Sequence, residues 1–322
     1  MSSVVQTGRA WLERARALIP AEDRAVLVSP PALVLRFLRY TMATEDKRTI
    51  PSDDVDARDP ELVQLFAEVV HQAMRRYFRA EVEGLDNVPE TGAALLVGNH
   101  NGGLVSVDSF LAVGAIHDRH GVGRAVFGLA HDFLFHDPIL RRQATRLGLL
   151  RAGRTGAHHA LSRGHLVLVY PGSDLDAFRP FTDRNRVVLG GRKGFVQVAL
   201  REQVPIIPVV SAGSHEQFVV LTRGDRLARL LRLHRWARTD VCPIVLSIPW
   251  GISLGFVPYV PLPTQITVAF GAPIAWPELG PEAADDPAIV ARCYERVAEE
   301  MQATLDRVSA GRRFLLGRPH AQ

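Results

Sequence analysis

The 322-residue chain is poor in cysteine and lysine. Its two cysteines, Cys242 and Cys293, lie far apart without a Cys-x-x-Cys spacing, which argues against a disulfide framework and against a zinc site and fits a reducing cytosolic setting. Lys47 and Lys193 are the only lysines among 38 basic residues, so 36 are arginine, and the net charge is +4. Arginine binds phosphate and other anions well, so an anionic partner is favoured. The amino terminus lacks a long apolar core before Glu13, so no secretory leader is expected there. Residues 25–43 are apolar but split by Pro30-Pro31, too broken to span a bilayer. They suit an interface or the domain's own core. Between Val241 and Pro277 there is no charged side chain at all. Seven prolines there rule out a regular spanning helix. That stretch reads as a buried or interface-seated loop carrying Trp250, Phe256 and Tyr259, followed by a strand from Ile266 to Phe270.

What the chain does contain is an alternation of strand and helix patterns. Helical spacing marks 8–19, and Asp59-Pro60 caps a helix in which Leu62, Leu65, Phe66, Val69, Val70, Met74 and Tyr77 recur at three and four. Buried strands are predicted over 93–98, 125–129, 165–170 and 204–210, with helices over 106–117, 137–147 and 192–200 between them. Pro205 and Pro208 place the 204–210 segment at an edge or a strand end. A final helix over 286–309 carries Ile289, Cys293, Val297, Met301 and Leu305 at intervals of four. The fold class is α/β, a largely parallel twisted sheet flanked by helices, with an N-terminal helical extension. The expected organisation is an interfacial extension and linker over 1–59, a main domain over 60–310 and a basic tail over 311–322.

Residues 223–238 place an arginine at every third position from Arg223 to Arg238, six against the single acid Asp225. With Leu227, Leu230, Leu231 and Leu233 between them, this reads as a basic amphipathic helix suited to an anionic membrane surface, or as a solvated charged helix.

Chemistry is expected at Gly98-Asn99-His100, where a buried strand ends in a turn of asparagines and glycines. Open α/β folds place their ligands at that rim. Ser106 stands at a helix start, and Asp108 in its first turn is kept ionised by the helix dipole. An ionised carboxylate beside an imidazole fixes its tautomer, so the pair is either a general base or a structural turn contact.

In order, Gly98-Asn99-His100 with Asp108, Tyr170-Pro171-Gly172-Ser173, Gly191-Arg192-Lys193-Gly194-Phe195 and Val204-Pro205-Ile206-Ile207-Pro208-Val209 resemble the glycerolipid acyltransferase (PlsC-like) family over about residues 80–275. Tyr-Pro-Gly without a following glutamate is more similar to the diacylglycerol acyltransferase-like branch. Seven residues separate His100 from Asp108, where the family pattern has four. The resemblance makes 60–310 an acyltransferase domain that moves a fatty acyl group from coenzyme A, or an acyl carrier protein, to a lipid hydroxyl. It makes His100 the general base and Asp108 its orienting partner. Gly172 and Ser173 become the oxyanion turn, and Arg151, Arg154 and Arg192 candidate acceptor or phosphate binders. A neutral alcohol is the favoured acceptor, with a lysophospholipid as the alternative. No bound cofactor or metal is implied. The expected partners are an acyl thioester, a lipid alcohol and an anionic membrane surface rather than nucleic acid, at the cytoplasmic face of the membrane.

Two other readings compete with this one. A non-catalytic lipid-binding homologue would keep the fold without turnover. Gly251-Ile252-Ser253-Leu254-Gly255 matches a hydrolase Gly-x-Ser-x-Gly pattern, but an elbow needs a strand before Ser253 and a helix after it, and prolines flank it instead. The pairs His131-Asp132, His136-Asp137 and His158-His159 show no recognised metal-ligand spacing.

Overall fold

The computed structural model describes residues 50–100, 103, 106–236, 239–255, 257 and 259–319. The helix expected over 8–19 and the apolar segment 25–43 lie outside them. Asp59 caps the first described α-helix as its sequence predicts, its carboxylate accepting from the Glu61 and Leu62 N–H groups. That helix, α1 (Pro60–Phe66), continues through a π-helical turn (Ala67–His71) into α2 (Gln72–Tyr77). There follow β1 (Glu81–Glu83), β2 (Ala94–Gly98), α3 (Val107–His120), β3 (Val126–Ala130), α4 (Pro138–Arg146), β4 (Leu149–Arg151), α5 (Arg154–Leu161) and β5 (Leu166–Val169). Next come α6 (Ser173–Ala177), α7 (Gly194–Glu202), β6 (Ile206–Ala212) and β7 (Val219–Thr222). The chain closes with α8 (Asp225–Leu230), α9 (Leu233–Trp236), β8 (Ile244–Ser247), β9 (Gly251–Leu254), β10 (Thr267–Phe270) and α10 (Pro287–Ser309).

Seven strands form one sheet in the order β1-β10-β6-β2-β5-β3-β4. Only the β10–β6 pairing is antiparallel. Apolar residues on both faces of the central strands make two cores. Leu95 and Val97 of β2 join one, which α10 covers with Cys293, Val297, Met301 and Leu305. Ala94 and Leu96 join the other, with Leu111 and Ile116 of α3. Both cysteines are free and buried.

Pro205 stands at a strand end, just before β6, while Pro208 lies within it, and neither marks an edge. β6 is central, between β10 and β2. Ile206 donates its N–H to Ile274 on the β10 flank, and by the two-residue period Pro208 faces the same flank. There the β10 ladder has already stopped at Phe270, so no acceptor waits for the donor that proline lacks. Gly271 packs against the proline ring.

The uncharged stretch is not a single loop, since it holds β8 and β9 ahead of the expected strand, β10. β7, β8 and β9 form a separate antiparallel sheet. Nor is the arginine-rich stretch one helix: it breaks between α8 and α9, with Arg232 in the left-handed region at φ 52°. The tail is fastened to the body, since Leu315 N–H donates to Glu216 at 2.8 Å and the Arg79 guanidinium donates to the Leu315 carbonyl at 2.7 Å. Among the described residues, no helix is long and apolar enough to cross a membrane.

Candidate active site

Three neighbouring parallel strands, β6, β2 and β5, end side by side, and the segments leaving their carboxyl ends build the site. Buried Asn99 ties the end of β2 to β6, its side chain accepting from Ser211 N–H at 2.8 Å and donating to the Ser211 carbonyl at 3.2 Å. The next residue, His100, is thereby delivered at a fixed height above the sheet. Its backbone N–H donates to the Asp176 carboxylate, and its Nδ1 lies 3.2 Å from Asp108 Oδ2. Asp108 is the second residue of α3 and 2 % exposed, whereas the His100 side chain keeps 18 % of its surface. Ser106 occupies the N-cap position of α3 but makes no side-chain cap bond.

Nδ1–H donates to Asp108, so the lone pair of His100 is on Nε2. Burial works to lower the imidazole pKa, but the Asp108 carboxylate, helped by Asp176, outweighs it and holds the group above its ordinary value. The Tyr170 ring lies 4.6 Å from the imidazole, centroid to centroid. Gly98 is required beneath it, because a Cβ there would enter the Tyr170 ring.

Asp176, which sequence reasoning missed, also meets His100. It is fully buried on α6 and paired with Arg179, itself 1 % exposed. Burial lifts its carboxyl to about 6, while Arg179 and the His100 N–H draw it down. Arg179 also donates to the carbonyls of His100 (3.2 Å), Asp183 (3.1 Å) and Arg184 (3.0 Å), so this buried pair clamps the backbone on both sides of the imidazole. Buried His215 lies beyond β6 and reaches the Asp176 carbonyl through Nε2 at 3.2 Å, and burial keeps it neutral.

The remaining expected site residues separate into two groups. Gly172, Ser173 and Arg192 come to the site. The Ser173 N–H closes the turn onto the Tyr170 carbonyl at 3.2 Å, so that donor is committed to the turn. Gly172 packs so tightly that a Cβ would run into the Val188 carbonyl and Asp176. Arg192 donates to the Pro171 and Gly172 carbonyls at 2.9 and 3.0 Å and braces the turn from outside. Arg151 and Arg154 do not come to His100. Arg151 is on the edge strand β4, three strand spacings or roughly 14 Å from β2, and pairs with Asp132 at 2.6 Å. Arg154 donates to Gln197 at 2.6 Å, beside His158 and Arg201 in a shallow depression of about 340 Å³.

Ser253 sits inside β9, paired with Val245 and 3.1 Å from the Ser247 hydroxyl, and no strand-to-helix elbow forms around it. Among the described residues, no cluster of three or more histidine, cysteine or acidic side chains is arranged to hold a metal.

A family model described as diacylglycerol acyltransferase matches residues 34–295. An uncharacterized protein of Mycobacterium tuberculosis is 38 % identical over 239 residues, 74 % of this chain and 64 % of that protein, so the match spans under two thirds of that relative's length. A human protein named DGAT1/2-independent enzyme synthesizing storage lipids is 30 % identical over 187 residues, 58 % of this chain and 55 % of that one. The crystal structure of the 1-acyl-sn-glycerophosphate acyltransferase PlsC from Thermotoga maritima superposes with a TM-score of 0.49 at 15 % identity, covering 86 % of this chain and 88 % of that one.

Proposed function

This chain belongs to the diacylglycerol acyltransferase family, and from that premise we propose that it transfers a fatty acyl group from a coenzyme A thioester to the hydroxyl of a neutral lipid alcohol, with His100 as general base. The observation that carries this reading is the 3.2 Å contact between His100 Nδ1 and a buried Asp108 at the carboxyl end of β2. An alcohol is a weak nucleophile near neutral pH and needs its proton taken as it attacks. His100 Nε2 accepts the hydroxyl proton while the oxygen bonds to the thioester carbonyl carbon. The tetrahedral intermediate then collapses, the carbon–sulfur bond breaks, and the imidazolium returns the proton to the departing thiolate. Asp108 stabilises the imidazolium between those steps and keeps Nδ1 as the donor. Asp176 and Arg179 hold the His100 backbone so that Nε2 does not drift.

The acceptor is tested with the purified full chain, a long-chain acyl-CoA, and diacylglycerol, a long-chain alcohol or a lysophospholipid, monitoring free thiol and the esterified product. This reading predicts thiol release that depends on the acceptor and is fastest with a neutral alcohol. Release that is fastest with the lysophospholipid would move the acceptor to the phosphate-bearing class and leave the base in place.

A further inference from the structure

The small β7-β8-β9 sheet has two faces, and they differ in what covers them. Its inner face is core: Val220 and Val245 are buried against Ala177, Phe178 and Phe218. Its outer face is apolar and, among the described residues, exposed. Leu246 opposes Ile252, and Ile248 opposes Val260, so these side chains share one face. Leu254 lies two residues along β9 from Ile252 and so projects with it, and Trp250 stands in the turn just before β9. Ile252 is 72 % exposed, Trp250 57 % and Val260 54 %. A contiguous bare patch of this kind marks a surface that meets something apolar.

The neighbourhood says what that is. No residue from 241 to 277 carries charge. Where β7 ends, α8 and α9 depart, with Arg226, Arg229, Arg232 and Arg235 exposed. Arg223, by contrast, is paired with Asp225 at 2.7 Å. An uncharged apolar plane with an aromatic at its turn and a positive border complements the acyl boundary and anionic headgroups of a bilayer. A water-facing partner would leave the plane wet. The inner face adds a reason for the location: Ala177 and Phe178 directly succeed Asp176, whose carboxylate holds the His100 N–H. The sheet therefore rests on the same short helix, α6, that holds the backbone of the proposed base.

We propose that the outer face of the β7-β8-β9 sheet seats this protein on an anionic bilayer, with the α8–α9 arginines on the headgroups, so that a lipid acceptor reaches His100 from the membrane side. The last clause rests on the acyltransferase reading; the seating does not. The test is flotation of the full chain with phosphatidylcholine vesicles, with and without phosphatidylglycerol, and no substrate. Wild type floats, more strongly with phosphatidylglycerol. Trp250→Glu with Ile252→Glu loses flotation on both, by about tenfold or more. Arg226→Gln with Arg229→Gln loses only the anionic increment, roughly fivefold per arginine at low salt. As a second readout that does not burden folding, Ile252→Cys carrying an environment-sensitive dye shifts to the blue on vesicle addition, while the dye on Ser162→Cys at the exposed end of α5 does not. Thiol release with a monomeric short-chain alcohol is scored separately and stays at the wild-type rate in the Trp250/Ile252 variant. A protein that floats but never releases thiol overturns the enzyme reading alone. The seating is overturned if the Trp250/Ile252 variant floats like wild type. It is overturned equally if lipid-free wild type sediments as a dimer that this variant makes monomeric, because a second copy then covers the face.

Discussion

Asp108 stands eight positions after His100 and still closes to 3.2 Å, because the first turn of α3 carries its carboxylate back to the end of β2. Spacing in sequence is a poor guide to spacing across a connection. The pair has a measurable consequence. His100 must be neutral to act as a base, so activity rises with pH through its pKa, which Asp108 helps to hold above the ordinary histidine value. In Asp108→Asn the kcat/KM profile should shift its rise to lower pH, and its plateau should fall by roughly two to four orders of magnitude. An unshifted, undiminished profile would mean that Asp108 does not act on His100. Asp176 and Arg179 were not legible in the sequence. A buried acid four residues past a turn belongs to no period, and Arg179 looks like any other arginine in a chain with 36 of them. The structure directs it to the Asp176 carboxylate and to backbone carbonyls.

At the scale of elements, strand and helix alternation from Ala94 to Phe270 was readable because each central strand is apolar on both faces, and proline or aspartate marks several helix starts. The β7-β8-β9 sheet was not, since its prolines disguise short strands and its outer residues are apolar where a solvated sheet would alternate. The arginine period was legible and its helix was not, because period three fits no single face of a long helix and the backbone turns over at Arg232. Gly172 shows how closely elements must meet at the site. Gly172→Ala pushes a Cβ into the Val188 carbonyl and Asp176, and neither backbone nor a fully buried acid can yield without moving α6. The expected outcome is a loss of about 1–3 kcal/mol in stability together with a fall in kcat larger than the change in KM, read by thermal unfolding and steady-state kinetics. A variant with wild-type melting and kcat would show that α6 can move without disturbing His100.

Across the whole molecule, the larger sheet presents the carboxyl ends of β6, β2 and β5 at one place, and the smaller sheet packs its buried face on α6 at that same place. His100, the base we propose, the buried ion pair that holds its backbone and the exposed apolar face of the smaller sheet thus lie in one region, the arrangement that the proposed acyl transfer at a membrane surface calls for. Everything in that arrangement turns on His100 doing the chemistry. The decisive comparison is acyl-CoA thiol release by wild type and His100→Ala in the presence of a lipid alcohol, with unfolding transitions recorded for both. If His100 is the base, the transitions match and the variant is slower by roughly two to four orders of magnitude; a folded His100→Ala protein that turns over at the wild-type rate would refute that role.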